Sequence, residues 1–296
     1  DLRERQPARV RELAGPASSA ARWLDSLPAR FTGVVFGNEV LDALPCERFV
    51  MQGGEPWRLG VVTRPDAGAA DAVTATGARA ASSRGVGTGL ASQFAWQARR
   101  PDGSRAGDAE FVAALAARLP RELRGTLVDG YVGEFQPAIG PWIGALATML
   151  ERGAILLADY GLPRRHYYHP QRGAGSLRAF YRHRAHDDPF VYPGLTDLST
   201  WVDFTAVAEA ADVAGLEVAG FATQAAVLLG GGIEARLAAA MEHADEAQRT
   251  RLAHGVRQLL LPGEMGESVK LMLLTRGVAA SGLPAGFALQ DLRGSL

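Results

Sequence analysis

Two carboxylate-bearing segments stand directly behind runs of core-type residues. Val34-Val35-Phe36 leads into Gly37-Asn38-Glu39, with Asp42 three positions on. Ala154-Ile155-Leu156-Leu157-Ala158 leads into Asp159-Tyr160-Gly161. A carboxylate at the end of a strand buried on both faces is partly desolvated, which is unfavourable unless it is paired. Such a group suits holding a cationic or polar substrate beside a cofactor. Asn38-Glu39 and Asp42 equally suit a turn with a helix N-cap. Asp159-Tyr160-Gly161 equally suits loop chemistry, with Gly161 permitting a sharp turn. Asp25 and Glu134 follow two further expected strands, at 21–24 and 131–135, and complete the set of tip carboxylates.

The other chemistry-rich stretch is 164–188. It carries His166, His169, His183 and His186 among arginines and tyrosines. His183-x-x-His186 lacks the Glu and the third ligand of a helical His-Glu-x-x-His site, so no metal is expected. Arginines interleaved with tyrosines suit phosphate contact and base stacking. Asp187, Asp188 and Asp197 dilute that field and argue against nucleic acid. A surface loop with local ion pairs, or a lid over the strand tips, fits the segment. Gly230-Gly231-Gly232 and Gly85-x-Gly87-x-Gly89 do not join a strand to a helix, so they read as hinges or turns rather than phosphate loops. Cys46, the sole cysteine, reads as a small packed residue.

The whole composition narrows the class. The 296 residues carry 31 basic and 32 acidic side chains, for a net charge of −1. That excludes a globally basic nucleic-acid binder and an acidic solvating chain. With one cysteine there is no internal disulfide framework. The longest apolar runs fall far short of the roughly 18 residues that cross a bilayer. The start, Asp1-Leu2-Arg3-Glu4, is charged and carries no secretory pattern. The expected setting is the reducing cytoplasm. Lys270 is the only lysine, a bias of composition rather than of function.

Helices are expected at 2–14, 109–119, 141–153, 203–214, 224–241 and 244–261. Strands are expected at 21–24, 31–37, 131–135, 154–158, 216–221 and 269–274, and a hairpin at 48–62. Strands alternating with helices make an α/β fold with a parallel sheet, whose ligands bind beyond the carboxyl ends of the strands. Residues 1–62 and 109–276 form this domain, with 162–200 as its lid. The Ala-, Gly- and Ser-rich stretch 63–108 is an irregular or hairpin insertion, and 277–296 is a tail.

Several segments in order resemble one family. They are Phe36-Gly37-Asn38-Glu39-Val40-Leu41-Asp42-Ala43-Leu44-Pro45, Gly133-Glu134-Phe135-Gln136-Pro137, Ala158-Asp159-Tyr160-Gly161, Gly175-Ser176-Leu177-Arg178, His183-x-x-His186-Asp187, Pro193-Gly194-x-x-Asp197-Leu198, Val202-Asp203-Phe204 and Met265-Gly266-Glu267. The pattern is similar to the MidA-like S-adenosylmethionine-dependent methyltransferases, relatives of a mitochondrial complex I assembly factor that methylates an arginine. The resemblance spans about residues 1–276. It implies a class I, Rossmann-like doubly wound sheet with an extra substrate-side subdomain, and S-adenosyl-L-methionine as cofactor.

On that plan Asp25, with Ser26, binds the adenine end of the cofactor, and Gly37 and Asn38 line the methyl-transfer site. Glu39 is the first candidate to clamp an acceptor guanidinium, with Asp42 or Glu134 second. Asp159 or His186 relays the proton, and Tyr160 packs on the guanidinium plane. Glu134, Arg178 and Asp203 also stand on the substrate side. The implied partner is a protein substrate, such as a respiratory-complex subunit. The family's glycine-rich loop and ribose-binding acid are not seen, and the first two strands of the sheet are expected to lie outside this chain. That departure keeps an alternative open, a non-catalytic assembly or scaffolding protein with the same fold.

Overall fold

The structure is a computed structural model that describes residues 2–63, 94–182, 184–278 and 284–296. His183, the Gly85-x-Gly87-x-Gly89 run and most of the 63–108 insertion lie outside the described residues.

Helix α1 (Leu2–Ala14) stops at Gly15-Pro16, as its sequence requires. Strand β1 (Phe31–Asn38) follows, then an antiparallel run of β2 (Glu47–Gln52), β3 (Glu55–Thr63) and β4 (Phe94–Arg99). Helices α2 (Asp108–Arg118) and α3 (Arg121–Arg124) precede β5 (Val132–Phe135). Helix α4 (Ile139–Met149) feeds the long β6 (Leu150–Leu162), and a single turn, α5 (Arg164–Tyr167), comes next. The segment expected as a lid carries β7 (Arg178–Tyr181), β8 (Arg184–His186) and β9 (Asp197–Ser199). The rest is β10 (Val202–Asp203), α6 (Phe204–Val213), β11 (Glu217–Thr223), α7 (Gln224–Gly230), α8 (Ile233–Glu242), α9 (Glu246–Leu260), α10 (Met265–Ser268) and β12 (Val269–Arg276).

The main sheet has the order β1-β6-β12-β11, with β10 paired to the end of β6. It is mixed rather than parallel. β1 and β6 are parallel, whereas β12 runs antiparallel to both β6 and β11. The reason lies in the connection. Thr223 ends β11 opposite Lys270 at the start of β12, so the helices between them leave and re-enter at one end of the sheet. A parallel return needs a crossover to the opposite end.

One face of this sheet packs Ile155, Leu157, Met272 and Phe221 against Ile143 and Val207 of α4 and α6. The other packs Leu271, Leu273 and Ala222 around Phe287. β1 was expected to be buried on both faces and is not: Val34 and Phe36 are 67% and 64% exposed. Among the described residues, β1 pairs only with β6, and nothing covers that side. The expected strand at 21–24 is also absent. This stretch is irregular and exposed, because no partner strand lies there to satisfy it. The strand expected at 131–135 exists as β5 but belongs elsewhere. It pairs antiparallel with β2 in a second sheet of order β4-β3-β2-β5. The helix expected at 141–153 is shorter at its end, since the backbone turns extended at Leu150. The pair expected at 224–241 and 244–261 is three helices, broken at Gly231-Gly232.

Arg276, at the end of β12, holds two helices to the sheet. Its Nη1 donates to the carbonyls of Ala147 and Leu150 (3.1 Å to the latter), and its Nη2 donates to the carbonyl of Ala214. These carbonyls close α4 and α6, where backbone acceptors have no partner within the helix. Arg276→Met keeps the stem and removes the donors. It should cost about 3 kcal/mol, read as a melting temperature lower by about 5 °C in a chain of this length.

Candidate functional site at the ends of strands β1 and β6

β1 and β6 run side by side, with Asn38 opposite Ala158. Their tips therefore emerge together, and the loop after β1 folds over the end of β6. The Asp159 carboxylate organises that loop. Its Oδ2 accepts the backbone N–H groups of Val40 (3.2 Å), Leu41 (2.9 Å) and Asp42 (3.2 Å), and its Oδ1 accepts that of Tyr160 (2.8 Å). Asp159 is buried. Burial and the Asp42 carboxylate push it up to about 7, while the amide donors pull the other way.

Asp42 is buried as well. Burial raises its pKa, opposed by the Ser199 side chain. Around it the backbone is locked by groups whose pairing no spacing announced. Gln136 Nε2 donates to the Leu41 carbonyl (2.8 Å) and to Thr200 Oγ1 (2.9 Å), and Thr200 N donates to the Asp42 carbonyl (3.0 Å). The signal available was Gln136-Pro137 itself, a polar residue after a strand.

Glu39 differs from its neighbours. Its side chain is exposed, and its backbone lies in the left-handed region at φ +50°. Glutamate seldom takes that conformation, and such outliers cluster at functional sites. The strain is fixed on one side by its own N–H, which donates to the Ala158 carbonyl (2.9 Å), and on the other by the loop that Asp159 grips. The Tyr160 phenol is raised by burial first, then by the charges of Glu39, Asp42 and Asp159. The structure thus brings together Asn38, the last residue of β1, with Glu39, Asp42, Asp159 and Tyr160, and Gly37 stands just before them. The arrangement can hold a cation: an exposed carboxylate, an aromatic face and two buried acids behind them.

Other expected site residues are placed elsewhere. Asp25 and Ser26 sit in an exposed bend with no strand before them. Glu134 is buried in the second sheet and is already engaged. It accepts from Arg48 Nε (2.9 Å) and from Ser176 N (2.8 Å) and Oγ (3.3 Å), with Gly175 pressed so close that a Cβ there would meet its carboxylate. Glu134→Ala should cost about 3–5 kcal/mol, because it strands Arg48 in the interior. Denaturant unfolding of Glu134→Leu with Arg48→Met should recover most of that loss. Asp203 caps α6 through Thr205 N (3.0 Å) and Ala206 N (3.2 Å) and pairs with Arg164 (3.0 Å), so its carboxylate faces the fold. Arg178 pairs with Asp187 on the surface (3.2 Å). His186 sits on β8 opposite Ala179, and both of its buried ring nitrogens lack hydrogen-bond partners among the described residues; no bond links it to Asp159. No cluster of metal ligands occurs among the described residues, and no helix there is long and apolar enough to cross a membrane.

The family described as "Putative S-adenosyl-L-methionine-dependent methyltransferase" matches residues 1–222. The mitochondrial protein arginine methyltransferase NDUFAF7 homolog of Drosophila melanogaster is 29% identical over 265 residues, 88% of this chain and 51% of that protein. The chain therefore spans about half the length of this curated relative. Two crystal structures from Burkholderia thailandensis are each 36% identical and superpose with a TM-score of 0.79 over the whole of this chain. One is of an uncharacterized protein, of which the chain covers 68%. The other is of a protein bound to S-adenosyl-homocysteine, of which it covers 66%.

Proposed function

The chain belongs to this family of S-adenosyl-L-methionine-dependent methyltransferases, and on that premise we propose that it methylates an arginine side chain of a protein at the β1 and β6 tips. The observation that carries the reading is Glu39, an exposed carboxylate held in a left-handed conformation at the β1 tip by its N–H bond to the Ala158 carbonyl, two residues before Tyr160. The Drosophila relative's name supports arginine as the acceptor, and the Burkholderia complex supports the cofactor. A subunit of a respiratory complex as the acceptor protein and a bacterial cytoplasmic setting belong to the same reading.

The residues fit a sulfonium cofactor, since three carboxylates and an aromatic ring favour a nearby cation. When bound, S-adenosyl-L-methionine supplies an electrophilic methyl group. Glu39 holds the guanidinium by two parallel N–H···O bonds, and Tyr160 supports its plane. Glu39 would present one guanidinium nitrogen to that methyl group, which the cofactor would give up with the carbon–sulfur electron pair staying on sulfur. The proton lost by that nitrogen passes to Asp42 or Asp159, which burial makes stronger bases. Positioning supplies most of the acceleration.

The test is calorimetric titration of S-adenosyl-homocysteine into the 296-residue chain and into the product of the whole reading frame that encodes it. One binding site, displaced by S-adenosyl-L-methionine, supports the enzyme. No binding by either protein favours a scaffold that keeps the fold without the chemistry.

A further inference from the structure

A cleft of about 600 Å³ opens next to Asp42, between the second sheet and the lid. Its size is that of a small-ligand pocket. One wall is β3 and β4, with Leu59, Val61 and Trp96; the other is the lid, with Phe190, Pro193 and Leu198. Phe190 bridges the two, its ring 5.0 Å from that of Trp96 and 6.2 Å from that of Phe94. The charges in the walls are mostly spent on each other. Glu47 is held by Arg58 through two bonds (3.0 and 2.7 Å), and Arg48 is paired with Glu134 while its guanidinium lies 4.6 Å over Trp96. The inner end is polar, where Asp42, Ser199 and Thr200 meet the loop that carries Glu39. Several wall residues stay wet: Val61 is 52% exposed and Leu198 47%.

We propose that this cleft binds an apolar side chain, aromatic by preference, that flanks the methyl-accepting residue on the substrate polypeptide. The inference rests on the methyltransferase reading for the identity of that polypeptide, and on the cleft alone for its chemistry. Apolar walls gain from covering apolar surface, and two aromatic rings offer edge and face contacts to a third. The cation Arg48 already occupies the face of Trp96, so a second cation is disfavoured there. The occupant must also belong to the acceptor's own chain, because the cleft's inner end and the proposed transfer site share the loop from Glu39 to Asp42.

The experiment has two arms. In the first, N-acetyl-phenylalanine amide and N-acetyl-serine amide are titrated into the protein and followed by ligand-observed NMR. The phenylalanine probe should bind in the millimolar range and the serine probe at least tenfold more weakly. Val61→Trp, which fills the cleft from an exposed position, and Leu198→Asp, which charges its rim, should each weaken the phenylalanine probe at least tenfold. Equal binding of both probes, or unchanged binding in both variants, overturns the cleft as an apolar site. In the second arm, methyl transfer from S-adenosyl-L-methionine is measured on arginine peptides that carry phenylalanine or serine beside the arginine. A KM at least tenfold lower for the phenylalanine peptide, lost in Val61→Trp, is the expected result. Equal KM values overturn the role in substrate choice. If the cleft binds the probe and neither peptide is methylated, the arginine reading falls while the apolar site stands.

Discussion

Glu39→Gln should keep S-adenosyl-homocysteine affinity within about twofold of the parent, and it should lower methyl transfer by about 10³-fold, or ~4 kcal/mol of transition-state stabilisation. The substitution keeps size and shape and removes the charge. A carboxylate accepts two parallel bonds from a guanidinium, whereas a carboxamide offers one acceptor and turns a donor toward the other N–H. The side chain is exposed, and among the described residues it accepts one long side-chain bond, from Asn38 Nδ2 at 3.4 Å. Its loss should therefore leave the fold untouched. Single-turnover assays with radiolabelled methyl donor separate chemistry from binding. Unchanged turnover removes Glu39 from the mechanism.

A second substitution at the same position separates function from stability. Glu39→Gly relieves a left-handed φ that costs a non-glycine residue roughly 1–2 kcal/mol, against a glycine entropy penalty of about 0.5–1 kcal/mol. The net effect should be a protein more stable by up to about 1 kcal/mol, and as inactive as Glu39→Gln. A stabilising change that abolishes turnover is the behaviour of a position held under strain for its chemistry.

Asp159 should give the chain a stability that falls between about pH 4 and pH 7. In the unfolded chain this carboxyl has its ordinary value of 3.8, while in the folded chain it stands at about 7. Between those values the folded form binds a proton that the unfolded form has lost. Stability therefore falls as pH rises through the window, by up to ~4 kcal/mol from this group. Below the window both forms are protonated and the penalty vanishes; above it the loss is complete. Asp159→Asn cannot ionise, so the difference in unfolding free energy between parent and variant should change with pH, in the parent's favour at pH 4.5 and against it at pH 7.5. Urea unfolding at the two pH values measures this. A difference independent of pH would mean that the amides of residues 40–42 hold the carboxylate ionised throughout. In either case the variant disturbs the loop that positions Glu39, because a carboxamide nitrogen cannot accept from an amide donor. Its methyl transfer should fall at least tenfold even where its stability matches the parent.

Much of this site was legible in the order of residue types. A short apolar run such as Ala154–Ala158, bounded by Gly153 and a polar triplet, suits a sheet strand, and the triplet behind it then stands at the strand's end. That logic puts Glu39, Asp42, Asp159 and Tyr160 at or near two strand ends, which is where the structure has them. It also located the cap at Asp203 before α6, because a carboxylate ahead of an amphipathic run satisfies the first helical amides. It failed where a decision depended on which strand lies beside which. Glu134 lies within a strand rather than after one, and β5 pairs with β2 in the second sheet, so its carboxylate meets Arg48 and Ser176. Asp25 follows an apolar stretch that finds no partner and so is no strand.

The sequence by itself determined that the 154–158 run is a sheet strand leading into an acid, because apolar side chains favour burial wherever a partner covers them; whether a partner does so it left open, as the exposed Val34 and Phe36 show. The tertiary structure alone decided the rest: that β12 returns antiparallel, that the Asp159 carboxylate spends itself on the backbone of residues 40–42, and that Trp96 and Phe190 close a cleft beside Asp42. Each of these is a pairing between residues far apart in the chain. A hydrogen bond or a ring contact has an energy only at a distance, and that distance is set by packing rather than by spacing along the sequence.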